Sequence, residues 1–195
     1  MGKTRLEAFS DAVIAIILTI MVLEMKVPHG DSLESLRPVV PVFLSYVLSF
    51  VFIGIYWNNH HHLLHATTHI NGTIMWANLH LLFWLSLIPF TTRWVGQTHF
   101  GPVPTATYGT VFLLSAIAWI ILQSRIVKRD GRDSILAAAL GSDAKGKLSL
   151  AMYTGGVGMS FVSAWISVAL YATVALMWLV PDRRIEAVVE GVHRS

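Results

Sequence analysis

Apolar residues in this chain fall in long, nearly unbroken blocks, where a helix lying on a water-soluble core would show a stripe. Blocks of about 20 apolar residues match a bilayer core about 30 Å thick. Helices satisfy their own backbone groups there, so helices are the predicted spanning element. The first predicted helix covers 5–24, and Pro28-His29-Gly30-Asp31 breaks the chain after it. The second covers 39–57, with Pro38 and Pro41 near its start, where proline is tolerated. A histidine-rich connection from Asn58 to Gly72 leads to a third helix over 73–92. A turn-rich loop from Gly96 to Pro104 precedes a fourth over 106–123.

The last apolar block, Leu148 to Val180, is too long for one crossing and short for two. It predicts a hairpin of helices over 147–161 and 165–180 with a turn near Phe161 to Trp165. Gly155-Gly156-Val157-Gly158 is a competing turn position. Ser134 to Leu140 reads as a short amphipathic cytoplasmic helix. The pattern as a whole predicts an all-α integral membrane protein, a single six-helix domain over 1–195 without internal repeats.

Composition agrees. Hydrophobic residues make up 54% of the chain and charged residues 13%, about half the charged share of a soluble domain. The absence of cysteine excludes disulfides, thiol catalysis and Cys-ligated metals. The start, Met1-Gly2-Lys3-Thr4-Arg5, has the charge of a signal-peptide n-region. The apolar stretch behind it contains Asp11 and lacks a small-x-small cleavage site, so it reads as a retained helix. Leu6 stands where a myristoylation signal needs Ser or Thr. With both termini in the cytoplasm, only Lys26, Arg37 and Arg93 of the basic residues lie outside. The positive-inside rule therefore selects that orientation and an even number of crossings. The net charge of +3 is loop charge on this reading; no basic cluster interleaves with aromatics as nucleic-acid binding requires.

Two sets of residues can carry chemistry. Helix 1 places Asp11 with Ala15, Leu18 and Val22 on one face, and Ile16, Thr19, Ile20 and Leu23 on another about 140° away. An ionisable group at that depth needs a partner or water. The second face is either ordinary packing, with Thr19 bonded back to the Ala15 carbonyl, or a pore lining, where bulky apolar rings gate by narrowing and dewetting. The other set is His60, His61, His62, His65 and His69. His61, His65 and His69 share a helical face and so have metal-ligand spacing, and paired histidines can also hold a haem iron. Hydrogen bonding between helices is the plainer role, with pH sensitivity a consequence. Asn78 and His80 are polar positions within apolar sequence, the type that ties membrane helices together. No nucleophile motif, phosphate loop or intramembrane carboxylate pair is present, so no enzyme is predicted.

The segment Arg5-Leu6-Glu7-Ala8-Phe9-Ser10-Asp11 fits an R-x-x-x-F-S-D signature and runs on as Ala15-Ile16-Ile17-Leu18-Thr19-Ile20-Met21-Val22-Leu23-Glu24. Tyr56-Trp57-Asn58-Asn59-His60-His61, Trp76-Ala77-Asn78-Leu79 and Leu87-Ile88-Pro89-Phe90-Thr91-Thr92 follow it. Over about residues 5 to 95 this resembles the transmembrane protein 175 family of potassium channels in its short prokaryotic form. The resemblance implies a homotetramer of six-helix subunits in a prokaryotic plasma membrane, with helix 1 lining the pore. It places the constriction at Ile16, Ile20 and Leu23 and a hydroxyl layer at Thr19. Arg5, Phe9, Ser10 and Asp11 become a network holding helix 1, with His61 and Asn78 as partners. Ile20 stands where leucine is usual, and His80 where an apolar residue is usual. No cofactor is implied, K⁺ being the permeant ion, and Glu24 at the outer mouth would concentrate cations. The function expected is a passive, modestly K⁺-selective cation channel. Other readings are a secondary or proton-coupled carrier using Asp11, a membrane metal or haem protein using His60 to His69, and a non-conducting interaction module.

Overall fold

A computed structural model describes residues 2–67, 69–131 and 144–179, and the regular elements among them are all helical. Helix α1, Lys3–Leu23, is followed by a 3₁₀ turn, Leu33–Val39, and α2, Val40–Ala66. Then come α3, Gly72–Ser86, and α4, Ile88–Gln97. After α5, Pro102–Asp130, the described chain ends with α6, Ala144–Met159, and α7, Ala164–Leu179. The amphipathic helix expected at 134–140, and the basic residues Arg132, Arg183, Arg184 and Arg194, lie outside the described residues.

Four spans are long and apolar enough to cross a bilayer: Lys3–Leu23, Leu33–Ala66, Gly72–Gln97 and Pro102–Asp130. The 16-residue helices α6 and α7 are each about 24 Å long. They form the expected hairpin, turning at 160–163. The competing glycine run stays inside α6, for a packing reason given below.

Three helices run past their expected ends. The second continues through the histidines to Ala66. At 27 residues it is about 40 Å long, so its histidine end reaches beyond a 30 Å core. The third does not stop after Pro89. Proline withdraws one backbone N–H and interrupts the helix at Leu87, and α4 restarts with Pro89 in its first turn. The hydroxyls of Thr91 and Thr92 bond back to Ile88 O at 3.1 and 2.7 Å. The fourth begins at Pro102, again with proline in its first turn, and ends at Gly131, whose φ is 99°. Only glycine takes that conformation cheaply.

The centre of the subunit is aromatic. Phe52 of α2 stacks on Phe112 of α5 at 3.8 Å between ring centroids, and Tyr108, Tyr153 and Tyr171 complete the cluster. Tyr171 fits because α5 and α6 present glycine to it. A Cβ at Gly109 would lie 1.9 Å from its hydroxyl, and one at Gly156 would lie 2.4 Å from its ring. This is why the Gly155–Gly158 run is helical and not a turn. Around the core, α5 contacts α3, α4, α6 and α7, whereas α1 packs chiefly on α2, α3 and α4. Helix 1 therefore stands at the edge of the subunit.

Candidate pore face and its supports

Helix α1 has three faces, not the two legible from its sequence. The face buried in the subunit is Leu6, Ser10, Ile14, Ile17 and Met21. It lies about 120° from each of the two expected faces. The Asp11 face is its flank, with Asp11 half-buried. The face of Ile16, Thr19, Ile20 and Leu23 is open: Ile16 is 56% exposed, Ile20 40% and Leu23 81%. Thr19 Oγ1 bonds back to Ile16 O at 2.9 Å and Ala15 O at 3.2 Å. Its hydrogen is thereby used, and its lone pairs stay available on the exposed side. Val13, Ile16, Ile17 and Ile20 line a groove of about 460 Å³ shared with Ser86, Pro89, Phe90, Arg93 and Glu24.

Two polar contacts hold α1 in parallel register against the α3–α4 span. At one end Asn78 Nδ2 donates to Ser10 Oγ at 2.9 Å, and Ser10 Oγ donates to Leu6 O at 2.9 Å. Asn78 Oδ1 lies 2.6 Å from His60 Nε2, so all three side chains form one fully buried chain. At the other end Glu24, which caps α1, pairs with Arg93 of α4. Glu24, the residue expected at the outer mouth, thus has a basic partner. Arg93 had no assigned role in the sequence; the parallel run of α1 and the α3–α4 span brings it to Glu24.

Of the R-x-x-x-F-S-D segment, Ser10 is the residue brought into this buried chain. Ser10 and Asn78 meet. The histidine that joins them is His60 and not His61. Helix α2 buries Ser45, Ser49, Phe52, Ile53, His60, Leu63 and Leu64. Its periodicity, carried on through the histidines, puts His60 inward and His61 on the exposed side with Trp57 and His65. His61 stacks on Trp57 at 6.3 Å and on His65 at 6.1 Å between centroids. Asp11 accepts a bond from Trp57 Nε1 at 3.1 Å, a partner the sequence did not single out. Phe9 is 44% exposed and Arg5 is exposed. Lys3 Nζ donates to His65 O at 2.6 Å, fixing the start of α1 on the end of α2. Among the described residues no three His, Asp or Glu side chains converge on a point that would hold a metal ion. His80 accepts from Trp84 Nε1 at 2.9 Å within its own helix.

Behind this face α4 is held by hydroxyls. Ser49 Oγ is 2.6 Å from Thr92 Oγ1 and 2.7 Å from Tyr108 OH, and Ser45 Oγ donates to Thr92 O at 3.1 Å. Gly96 lets α4 approach α2 so closely that a Cβ there would meet Val42 Cα at 2.7 Å.

Three comparisons bear on what this arrangement belongs to. The family model described as endosomal/lysosomal potassium channel TMEM175 matches residues 5–89. The chain is 53% identical over 186 residues to a potassium channel of Chryseobacterium sp. (strain P1-3), covering 95% of this chain and 97% of that one. It is 30% identical to a potassium channel of Streptomyces collinus, over 89% of this chain and 90% of that one. The crystal structure of a lysosomal potassium-selective channel TMEM175 homolog from Chamaesiphon minutus superposes with a TM-score of 0.78 at 28% identity, over 92% of this chain and 97% of that chain.

Proposed function

The chain belongs to the TMEM175 family, and from that premise we propose that it is a passive potassium channel formed by four copies around their α1 helices. It is a membrane channel and not an enzyme. The observation that carries the reading is the open face of α1. Ile16, Ile20 and Leu23 are apolar and unpartnered in the subunit, Thr19 adds a hydroxyl among them, and a charged pair closes the groove beside them. A stripe serving only to meet lipid has no use for the last two features.

In the assembly, four isoleucines at position 16 narrow the pore. They offer no oxygen to replace ion hydration, so the closed neck excludes water as well as ions. Four Thr19 hydroxyls, with their hydrogens turned back to the helix, present lone pairs to a cation next to that neck. Few oxygens in a narrow apolar pore give modest selectivity for K⁺ over Na⁺. The exposed small residues Ala8, Ala12 and Ala15 permit close approach of neighbouring helices. Opening requires α1 to tilt or rotate, and its position at the edge of the subunit suits that. The four long spans with the α6–α7 hairpin support six crossings, and the lysine and arginine distribution supports cytoplasmic termini in a prokaryotic plasma membrane.

Purified protein in liposomes tests this. With a proton ionophore for charge balance, K⁺ moves above the empty-vesicle rate and faster than Na⁺. If neither ion exceeds the empty-vesicle rate, the channel reading fails.

A further inference from the structure

We propose that Arg93 is the charge-balancing residue of the outer mouth: it neutralises Glu24 and so limits the cation concentration at the pore entrance. The inference rests on the channel reading above. It starts from the position of Glu24, which is the C-cap of α1. The carbonyl end of a helix carries about half a negative charge, and a carboxylate placed there adds to it. Four such ends around one pore would make a strongly negative vestibule, the arrangement that concentrates cations.

Arg93 changes that sum. It reaches from α4 to Glu24 and shares the groove beside α1 with Ile16 and Ile20. Glu24 also borders a second outer cavity of about 600 Å³, where the other charged or titratable neighbours are Lys26, His29 and His99. Among the residues lining these two cavities Glu24 is the one acid. With Arg93 and Lys26 beside the one acid, the side chains of the mouth carry no net negative charge. Both side chains of the pair keep about a third or more of their surface exposed, 40% for Arg93 and 35% for Glu24. Their fields thus act through water and are open to screening by salt.

Single-channel conductance in planar bilayers reads this directly, because it counts ion passage through an open pore and not the time spent open. It is compared in symmetric KCl at about 0.01 M, where charges act over about 30 Å, and at about 1 M, where they act over about 3 Å. Arg93→Gln raises conductance several-fold in dilute KCl and matches wild type in concentrated KCl. Glu24→Gln lowers it in dilute KCl only. The double variant Glu24→Gln/Arg93→Gln returns to the wild-type value, since the net charge is restored although the tie is gone. Arg93→Lys keeps the charge and behaves as wild type. Wild-type conductance for Arg93→Gln in dilute KCl overturns the proposal. So does a change of equal factor at both salt concentrations, which marks a purely mechanical tie. Should Arg93→Gln fail to elute as folded protein, Glu24→Gln decides: no loss in dilute KCl overturns the proposal. Absence of wild-type channels defeats the channel reading itself and is seen before any variant is compared.

Discussion

The Asn78 carboxamide oxygen lies 2.6 Å from Nε2 of His60, in a contact between α3 and α2 from which water is excluded. Oxygen accepts, so His60 must carry its proton on Nε2. The bonds then run in one direction, from His60 to Asn78, from Asn78 to Ser10 and from Ser10 to the Leu6 carbonyl. One amide therefore joins three helices at the end of α1 opposite Glu24.

Removing that amide should be costly, and the neighbouring histidine should be expendable. Asn78→Leu strands the His60 N–H in an apolar contact, at a cost of about 1–3 kcal/mol. His60→Leu loses the same bond but leaves Asn78 able to reach Ser10, so it costs less. His61→Leu touches only the exposed stack with Trp57 and His65. Thermal unfolding in one detergent should rank them Asn78→Leu, His60→Leu, His61→Leu from least to most stable. A His61 variant as damaged as the Asn78 variant would return His61 to the network.

The glycines of α5 and α6 give a sharper contrast. Gly156→Ala and Gly109→Ala each drive a methyl into Tyr171, whose hydroxyl and ring are fixed by the aromatic core. Overpacking of this kind costs about 1–3 kcal/mol or more. Gly155→Ala, one residue along, meets nothing within 4 Å. It gains helix propensity of up to about 1 kcal/mol. Melting temperatures should fall for the first two and hold or rise for the third.

Much of this was legible in the sequence. Long apolar blocks sufficed for the spans. The 3.6-residue period sorted Ile16, Thr19, Ile20 and Leu23 onto one face, and that face is open in the subunit. What could not be read depends on where helices end and on what crosses between them. The second helix runs on past Trp57, and its continued period turns His60 inward and His61 outward. The partner of Glu24 was not legible because Arg93 follows it by 69 residues. The Gly155–Gly158 run stayed a competing turn position because Tyr171, the side chain that needs the space at Gly156, comes from the next helix.

Asp11 separates a channel from a coupled carrier. Its Oδ1 accepts from Trp57 Nε1 at 3.1 Å, and an asparagine oxygen can accept the same bond. Asp11→Asn should therefore preserve both the α1–α2 contact and K⁺ flux, with at most a modest change in rate. A carrier that moves protons through this carboxylate would lose transport entirely. Flux in liposomes with and without a pH gradient distinguishes the two.

The pore face is tested by two exposed apolar residues of the same helix. Ile16 lies on the open face beside the groove, and Val22, 44% exposed, lies on the Asp11 flank. Asparagine at position 16 places four amide groups at the neck, which wets it and supplies oxygens to any small cation. Na⁺ gains more from this than K⁺ does, because its hydration is harder to strip in an apolar neck. Ile16→Asn should therefore raise conductance and bring the K⁺ to Na⁺ ratio towards one. Val22→Asn adds the same group at similar exposure but points away from the axis, so the ratio should stay at the wild-type value. Bi-ionic reversal potentials measure the ratio without reference to protein amount. An unchanged ratio in Ile16→Asn removes Ile16 from the neck, and an equal loss in both variants shows a general loosening of α1 instead of a wetted constriction.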